Sequence, residues 1–209
     1  MSSSIPPLSS LLDSTVVDQA VSLLLEPSPI LHSKLTPAIT ERIKSTGTPE
    51  TYASLVDLCA EEIGEWSLED KAAFLGGHPL IGEVKNLSAM SAKEQGGNTV
   101  KTPEIVLKRL GHLNKLYSRV YPGLPYITFV AGRPRAAIVQ EMERVLELPQ
   151  SPEPIPGDWS QVELPALDSE EALARVKESG GPEWQMETER ALKDIWLIAK
   201  SRLQGLGLK

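Results

Sequence analysis

Only one stretch of this chain reads as a β-strand, and one strand cannot make a sheet. Tyr126-Ile127-Thr128-Phe129-Val130 is a short β-branched and aromatic run that follows Gly123-Leu124-Pro125. Elsewhere the apolar residues recur at helical spacing between chain breakers. The fold class predicted from this pattern is all-α: a single-domain helical bundle of about eight helices spanning residues 1–209, with 126–130 as an extended segment lying across helices. At 209 residues the chain is long enough to bury a sizeable core.

The helix boundaries follow from capping chemistry. Ser14 or Thr15 is positioned to cap a first helix whose Val16, Val17, Ala20, Val21, Leu23 and Leu24 share a face, and Pro27 and Pro29 end it. A Thr-Pro start then recurs at Thr36-Pro37, Thr48-Pro49 and Thr102-Pro103. Threonine can accept a hydrogen bond from an orphan amide at the N-cap, and proline at the first helical position loses nothing by lacking an N–H. Ser67 opens a further helix that stops at Gly76-Gly77, and Pro134 opens another. Asp168 is placed to cap a helix through Val176, and the last helix begins near Pro182 and runs past Leu203. Residues 149–165, with prolines at 149, 152, 154, 156 and 165, read as a polar connector, extended and mobile, within a proline-rich stretch at about 148–184.

Composition excludes several function classes. A net charge of −7 argues against nucleic acid and against anionic membranes, since both need a basic surface. No apolar run approaches the ~20 residues of a membrane-spanning helix. Cys59, the single cysteine, lies in an apolar helical pattern and reads as core. The three histidines, at 32, 78 and 112, show neither a helical His-x-x-x-His nor a Cys-x-x-Cys companion, so no metal site is expected. No GxGxxG, P-loop or GxSxG pattern is present. His112, inside a helical pattern, reads as structural, and Gly132-Arg133-Pro134-Arg135 as a solvated turn and helix start.

Chemistry concentrates in two clusters, His78-Pro79-Leu80-Ile81-Gly82 and Ser91-Ala92-Lys93-Glu94-Gln95. His78 is framed by Gly76-Gly77 and Pro79, which places it on a turn rather than on a core face. It reads either as a turn histidine with a satisfied hydrogen bond or as a general acid or base, since imidazole titrates near pH ~6.5. Ser91-x-x-Glu94 fits a capping box, in which Ser bonds the amide three residues on and Glu reaches back. That reading is compatible with ligand binding, because a helix N-terminus offers free N–H groups and a partial positive charge. Arg202, in the last turns of the final helix, reads either as a cation placed against the helix dipole or as a fork for a planar, oxygen-rich ligand.

In their order and spacing, these segments resemble the 2-oxo-4-hydroxy-4-carboxy-5-ureidoimidazoline (OHCU) decarboxylase family. The resemblance runs through Leu11-Leu-Asp-Ser-Thr-Val-Val-Asp-Gln, Leu25-Glu26-Pro27-Ser28-Pro29 and Phe74-Leu-Gly-Gly-His-Pro-Leu-Ile-Gly82. It continues through Ser91-Ala-Lys-Glu-Gln95, Leu113-Asn114-Lys-Leu-Tyr117, Gly123-Leu-Pro125-Tyr126-Ile127 and Ala191 to Leu203. It implies an all-α, often dimeric enzyme without a cofactor, which performs the last step from urate to (S)-allantoin. It assigns His78 as the catalytic acid/base, together with Glu94. Pro79, Ser91, Gln95, the segment Tyr126, Ile127, Thr128, Phe129 and Val130, and Arg202 become substrate contacts. The chain departs from the family where many members have Asp two residues after the histidine, since Leu80 stands there, and its connector at 148–184 is longer than most. The C-terminal Ser-Lys-Leu tripeptide of peroxisomal animal members is also absent, so a cytoplasmic location is expected over a peroxisomal one. Two rival readings of the same residues are a non-catalytic helical binding protein and a lyase or hydrolase acting on another ureido-substituted acid.

Overall fold

The computed structural model describes residues 5–83, 90 and 102–208. All regular structure among them is helical, with eight α-helices and no strand. The helices are α1 (Ser14–Leu25), α2 (Thr36–Thr46), α3 (Tyr52–Gly64), α4 (Leu68–Leu75), α5 (Glu104–Val120), α6 (Arg135–Val145), α7 (Glu170–Leu173) and α8 (Pro182–Gly205). A 3₁₀ turn at Leu8–Ser10 precedes α1, and a π-helical turn at Leu31–Leu35 runs directly into α2. No described helix is long and apolar enough to cross a membrane.

The backbone divides into two compact units. One comprises Met1–His78 with Leu192–Lys209, the other Pro79–Ala191. The core of the first is built from helix faces of helical spacing, that of α1 among them as predicted. Val17, Ala20, Val21, Leu24 and Leu25 of α1 are buried, as are Leu55, Val56, Cys59 and Ile63 of α3, Phe74 and Leu75 of α4, and Ile195, Ala199 and Leu203 of α8. Burial pushes the Cys59 thiol up to about 12, so at neutral pH it is an uncharged core side chain.

Helix starts follow the expected chemistry at Ser67, whose hydroxyl accepts from the Asp70 amide, and at Pro134, which sits at the N-cap of α6. At the three Thr-Pro pairs, none of the threonines caps. The chain is already helical at Ile30, so the Thr36 amide has a carbonyl partner in Leu31, and its hydroxyl donates instead to Asp18 Oδ1 at 2.9 Å. The helix after Thr48 begins only at Tyr52, with Thr51 accepting from the Ser54 amide. Thr102 accepts from Arg135, and Pro103 itself occupies the N-cap of α5. Two other starts shift by one residue. Asp13 rather than Ser14 or Thr15 caps α1, and Ser169 rather than Asp168 caps the four-residue α7, while Asp168 pairs with Arg119.

In the second unit the proline-rich connector is pinned rather than mobile. Arg109 of α5 donates through Nη1 to the carbonyls of Val162 and Leu164, at 3.2 and 2.5 Å, and through Nε to Glu143 Oε1 at 2.8 Å. Glu143 of α6 also accepts from the amide and hydroxyl of Ser151. Trp159 lies under the Arg109 guanidinium, and His112 donates from Nε2 to the Pro165 carbonyl at 2.9 Å. His112 is therefore structural, as its place in a helical pattern suggested, and burial lowers its proton affinity. Its partner, like two of the three acceptors of Arg109, is a backbone carbonyl.

Candidate active site

In the first unit, α4 ends at Leu75, and the turn that follows carries His78, whose amide bonds the Leu75 carbonyl at 3.0 Å. The turn is as expected, but the imidazole is buried rather than solvated, packing edge-on against Phe74 with ring centroids 5.4 Å apart. Phe74 itself lies between Trp66 and Trp196. Gly77 is required by a close approach: a Cβ there would fall 2.4 Å from the Ser28 Cβ. The 26–29 segment and the histidine turn are thereby locked together.

Arg202 of α8 reaches the same place. Its guanidinium is 2% exposed and sits against the end of α1 rather than its own helix terminus. Nη1 donates to the carbonyls of Leu23 and Leu24 at 3.3 and 3.2 Å, and Nη2 to Glu26 Oε1 at 2.6 Å. Those carbonyls belong to the last turn of α1, where helix geometry leaves them without internal partners. Glu26, the C-cap of α1, holds φ at 66° and ψ at 137°, a conformation ordinarily left to glycine, at a strain of roughly 1–3 kcal/mol.

The electrostatics of His78 follow from these neighbours. Burial first and the Arg202 charge second lower its pKa to about 4, against the opposing influence of Glu26 and of the Phe74 and Leu75 backbone. The imidazole is therefore neutral at physiological pH. Its Nδ1 lies 3.4 Å from the Phe74 carbonyl. With the proton on Nδ1 facing that carbonyl, Nε2 carries the lone pair, and no described residue bonds it.

A stability consequence follows with a definite sign. The unfolded chain binds a proton at His78 near pH ~6.5 and the folded chain only near pH 4, so stability is full above about 6.5 and declines as pH falls toward 4. His78→Gln should remove this dependence, flattening the urea-unfolding free energy between pH 6.5 and 4 by on the order of 3 kcal/mol. An unchanged slope would contradict the assignment.

In the second unit the 126–130 segment is extended and makes no ladder. Its side chains and carbonyls are fixed from two helices. Glu141 of α6 accepts from Tyr126 Oη at 2.7 Å, from Thr128 Oγ1 at 2.6 Å and from Arg133. Arg133 also donates to the Phe129 and Val130 carbonyls, so Gly132-Arg133-Pro134-Arg135 is a structural clamp rather than a solvated turn. Burial alone would raise the Glu141 carboxyl, but the bonds from Thr128, Tyr126 and Arg133 hold it below its ordinary value. From α8, Arg190 donates to the Ile127 carbonyl at 2.9 Å, stacks over Tyr126 and pairs with Glu187, which also accepts from Tyr117. The amide N–H groups of residues 126–130 have no acceptor among the described residues. The segment thus presents backbone donors while its carbonyls at 127, 129 and 130 are occupied.

The structure brings His78 and Arg202 together within one unit, adjoining Pro79 in sequence. Ser91, Glu94 and Gln95, with the expected capping box, lie outside the described residues. Sequence reasoning missed Glu26, Glu141 and Arg190 as fixing groups. Glu26 appeared only as a letter in a motif, and nothing local ties it to an arginine 176 positions away.

The family profile described as OHCU decarboxylase matches residues 11–154, and the chain belongs to that family, whose activity is a decarboxylation in urate degradation. The matched span contains His78 and the 126–130 segment, and Arg202 lies beyond it. No curated protein sequence matches the chain.

Proposed function

We propose that this protein decarboxylates 2-oxo-4-hydroxy-4-carboxy-5-ureidoimidazoline to (S)-allantoin without a cofactor, with His78 as the acid–base group. The observation that carries the proposal is the neutral, buried imidazole of His78 next to the Arg202–Glu26 pair. The substrate supplies its own electron sink. Breaking the bond from C4 to the carboxylate releases CO2, and the electron pair enters the C4–C5 bond. The neighbouring C=N accepts the displaced pair on nitrogen, which takes up a proton. The product of this step is an enol at C4. Neutral His78 takes the proton of the C4 hydroxyl and returns one to C5, leaving the C4 carbonyl of allantoin. A resting imidazolium could not begin that relay, which is why a lowered proton affinity suits it.

The other roles rest on the family resemblance. Glu94 orients His78 or takes the hydroxyl proton. Ser91, Gln95 and Arg202 hold the ureido and ring oxygens, and Pro79 and the 126–130 backbone contact the substrate. The amides of that segment, which have no acceptor among the described residues, are suitable donors for such oxygens. The resemblance also carries a homodimer. The test generates the unstable substrate from urate with urate oxidase and hydroxyisourate hydrolase and adds this protein. Loss of the intermediate should accelerate in proportion to protein added, and decay at the spontaneous rate would refute the proposal.

A further inference from the structure

We propose that Glu26 is a positioning residue for this site, its carboxylate fixing the Arg202 guanidinium beside His78 and balancing its charge there. The inference rests on the proposed decarboxylase reading and adds a residue that reading does not use.

Three observations carry it. First, Glu26 is 5% exposed and its carboxylate meets Arg202 Nη2 at 2.6 Å, while the carbonyls of Leu23 and Leu24 take Nη1. The guanidinium is thus oriented from two sides by consecutive parts of one chain segment. Second, that segment is keyed to the histidine turn. Ser28, two residues after Glu26, packs where Gly77, the residue before His78, has no side chain. A shift of the Glu26 backbone would therefore be felt one residue from His78. Third, Glu26 holds its place in a left-handed conformation at the end of α1. Glycine would relieve the backbone there but would remove the carboxylate that meets the buried Arg202 guanidinium.

Among the described residues, the charges acting on His78 are those two groups, Arg202 lowering its proton affinity and Glu26 raising it. Replacing either should displace the histidine in opposite senses. A residue that only held the fold together would not do this.

The test uses the full-length protein and its E26Q, E26D and R202Q variants, reading turnover of the enzymatically generated substrate, thermal stability, and the titration of the His78 imidazole by NMR. E26Q keeps the size and an acceptor but loses the charge. Turnover should fall by about 10- to 100-fold, the scale of a displaced catalytic geometry. The His78 resonance should titrate at lower pH in E26Q and at higher pH in R202Q than in the unmodified protein. E26D, which keeps the charge, should titrate close to the unmodified protein and lose less turnover than E26Q. E26Q with unchanged turnover and titration overturns the inference. In E26Q a turnover loss with no movement of the His78 titration also overturns it, leaving Glu26 a structural residue. If E26Q does not fold, E26D and R202Q decide together: reduced turnover in folded E26D with the His78 titration moved to higher pH in R202Q supports the inference, and E26D turnover equal to the unmodified protein or an unmoved titration in R202Q overturns it. If the unmodified protein lacks the activity, the decarboxylase reading fails, and the opposed titration shifts still report on Glu26.

Discussion

Replacing His78 by glutamine is expected to lower turnover by about 10²–10⁴-fold, the range for loss of a positioned acid–base group. The size of the loss follows from the chemistry. Glutamine fills much of the same space and can still meet the Phe74 carbonyl, which His78 Nδ1 faces at 3.4 Å. It cannot exchange a proton, so the relay from the C4 hydroxyl to C5 has no carrier. Loss should appear mainly in kcat, because the interaction removed operates in the transition state rather than in substrate binding. A glutamine variant with normal kcat would remove His78 from the mechanism, whatever its burial.

Replacing Glu143 by glutamine is expected to have the largest effect on stability, a loss of about 3–5 kcal/mol in urea unfolding. Arg109 and Glu143 are 3% and 0% exposed, so the substitution leaves a buried guanidinium charge without its counterion. It also weakens the acceptor for Ser151, the first anchor of the connector. Limited proteolysis between residues 150 and 165 should accelerate in the variant, because Arg109 then holds Val162 and Leu164 without being held itself. The paired substitution of Arg109 by Met and Glu143 by Leu should be less damaging than Glu143→Gln alone, since it removes both charges and their desolvation together. A single-variant loss below about 1 kcal/mol would show that the pair does not anchor the connector.

What the sequence revealed, and what it did not, divides along a physical line. The apolar face of α1 was legible because burial imposes a 3.6-residue period that survives in any context. The 126–130 run was legible as extended for the complementary reason, β-branched residues without a second strand to pair with. His78 was legible because glycines and proline frame it. The Thr-Pro starts misled because a threonine hydroxyl takes whichever partner the fold brings near, which was Asp18 for Thr36 and Arg135 for Thr102. The connector was misread because its anchors are the carbonyls of Val162, Leu164 and Pro165, and a backbone carbonyl leaves no mark on composition. Proline-rich composition predicts extension, and says nothing about whether an arginine elsewhere will grip it. Glu26 was illegible as a partner of Arg202 for a third reason: their pairing is a product of folding, with no local spacing to announce it.

The role proposed for His78 makes one stereochemical demand that spontaneous chemistry does not meet. Protonation at C5 by a residue fixed on one face yields one hand of allantoin, whereas protonation by water yields both. The most direct measurement is circular dichroism of the allantoin formed when substrate generated from urate is consumed by the unmodified protein and, in parallel, by the His78→Gln variant. The account predicts (S)-allantoin in excess with the unmodified protein and a nearly racemic product with the variant. Racemic allantoin from both would contradict it.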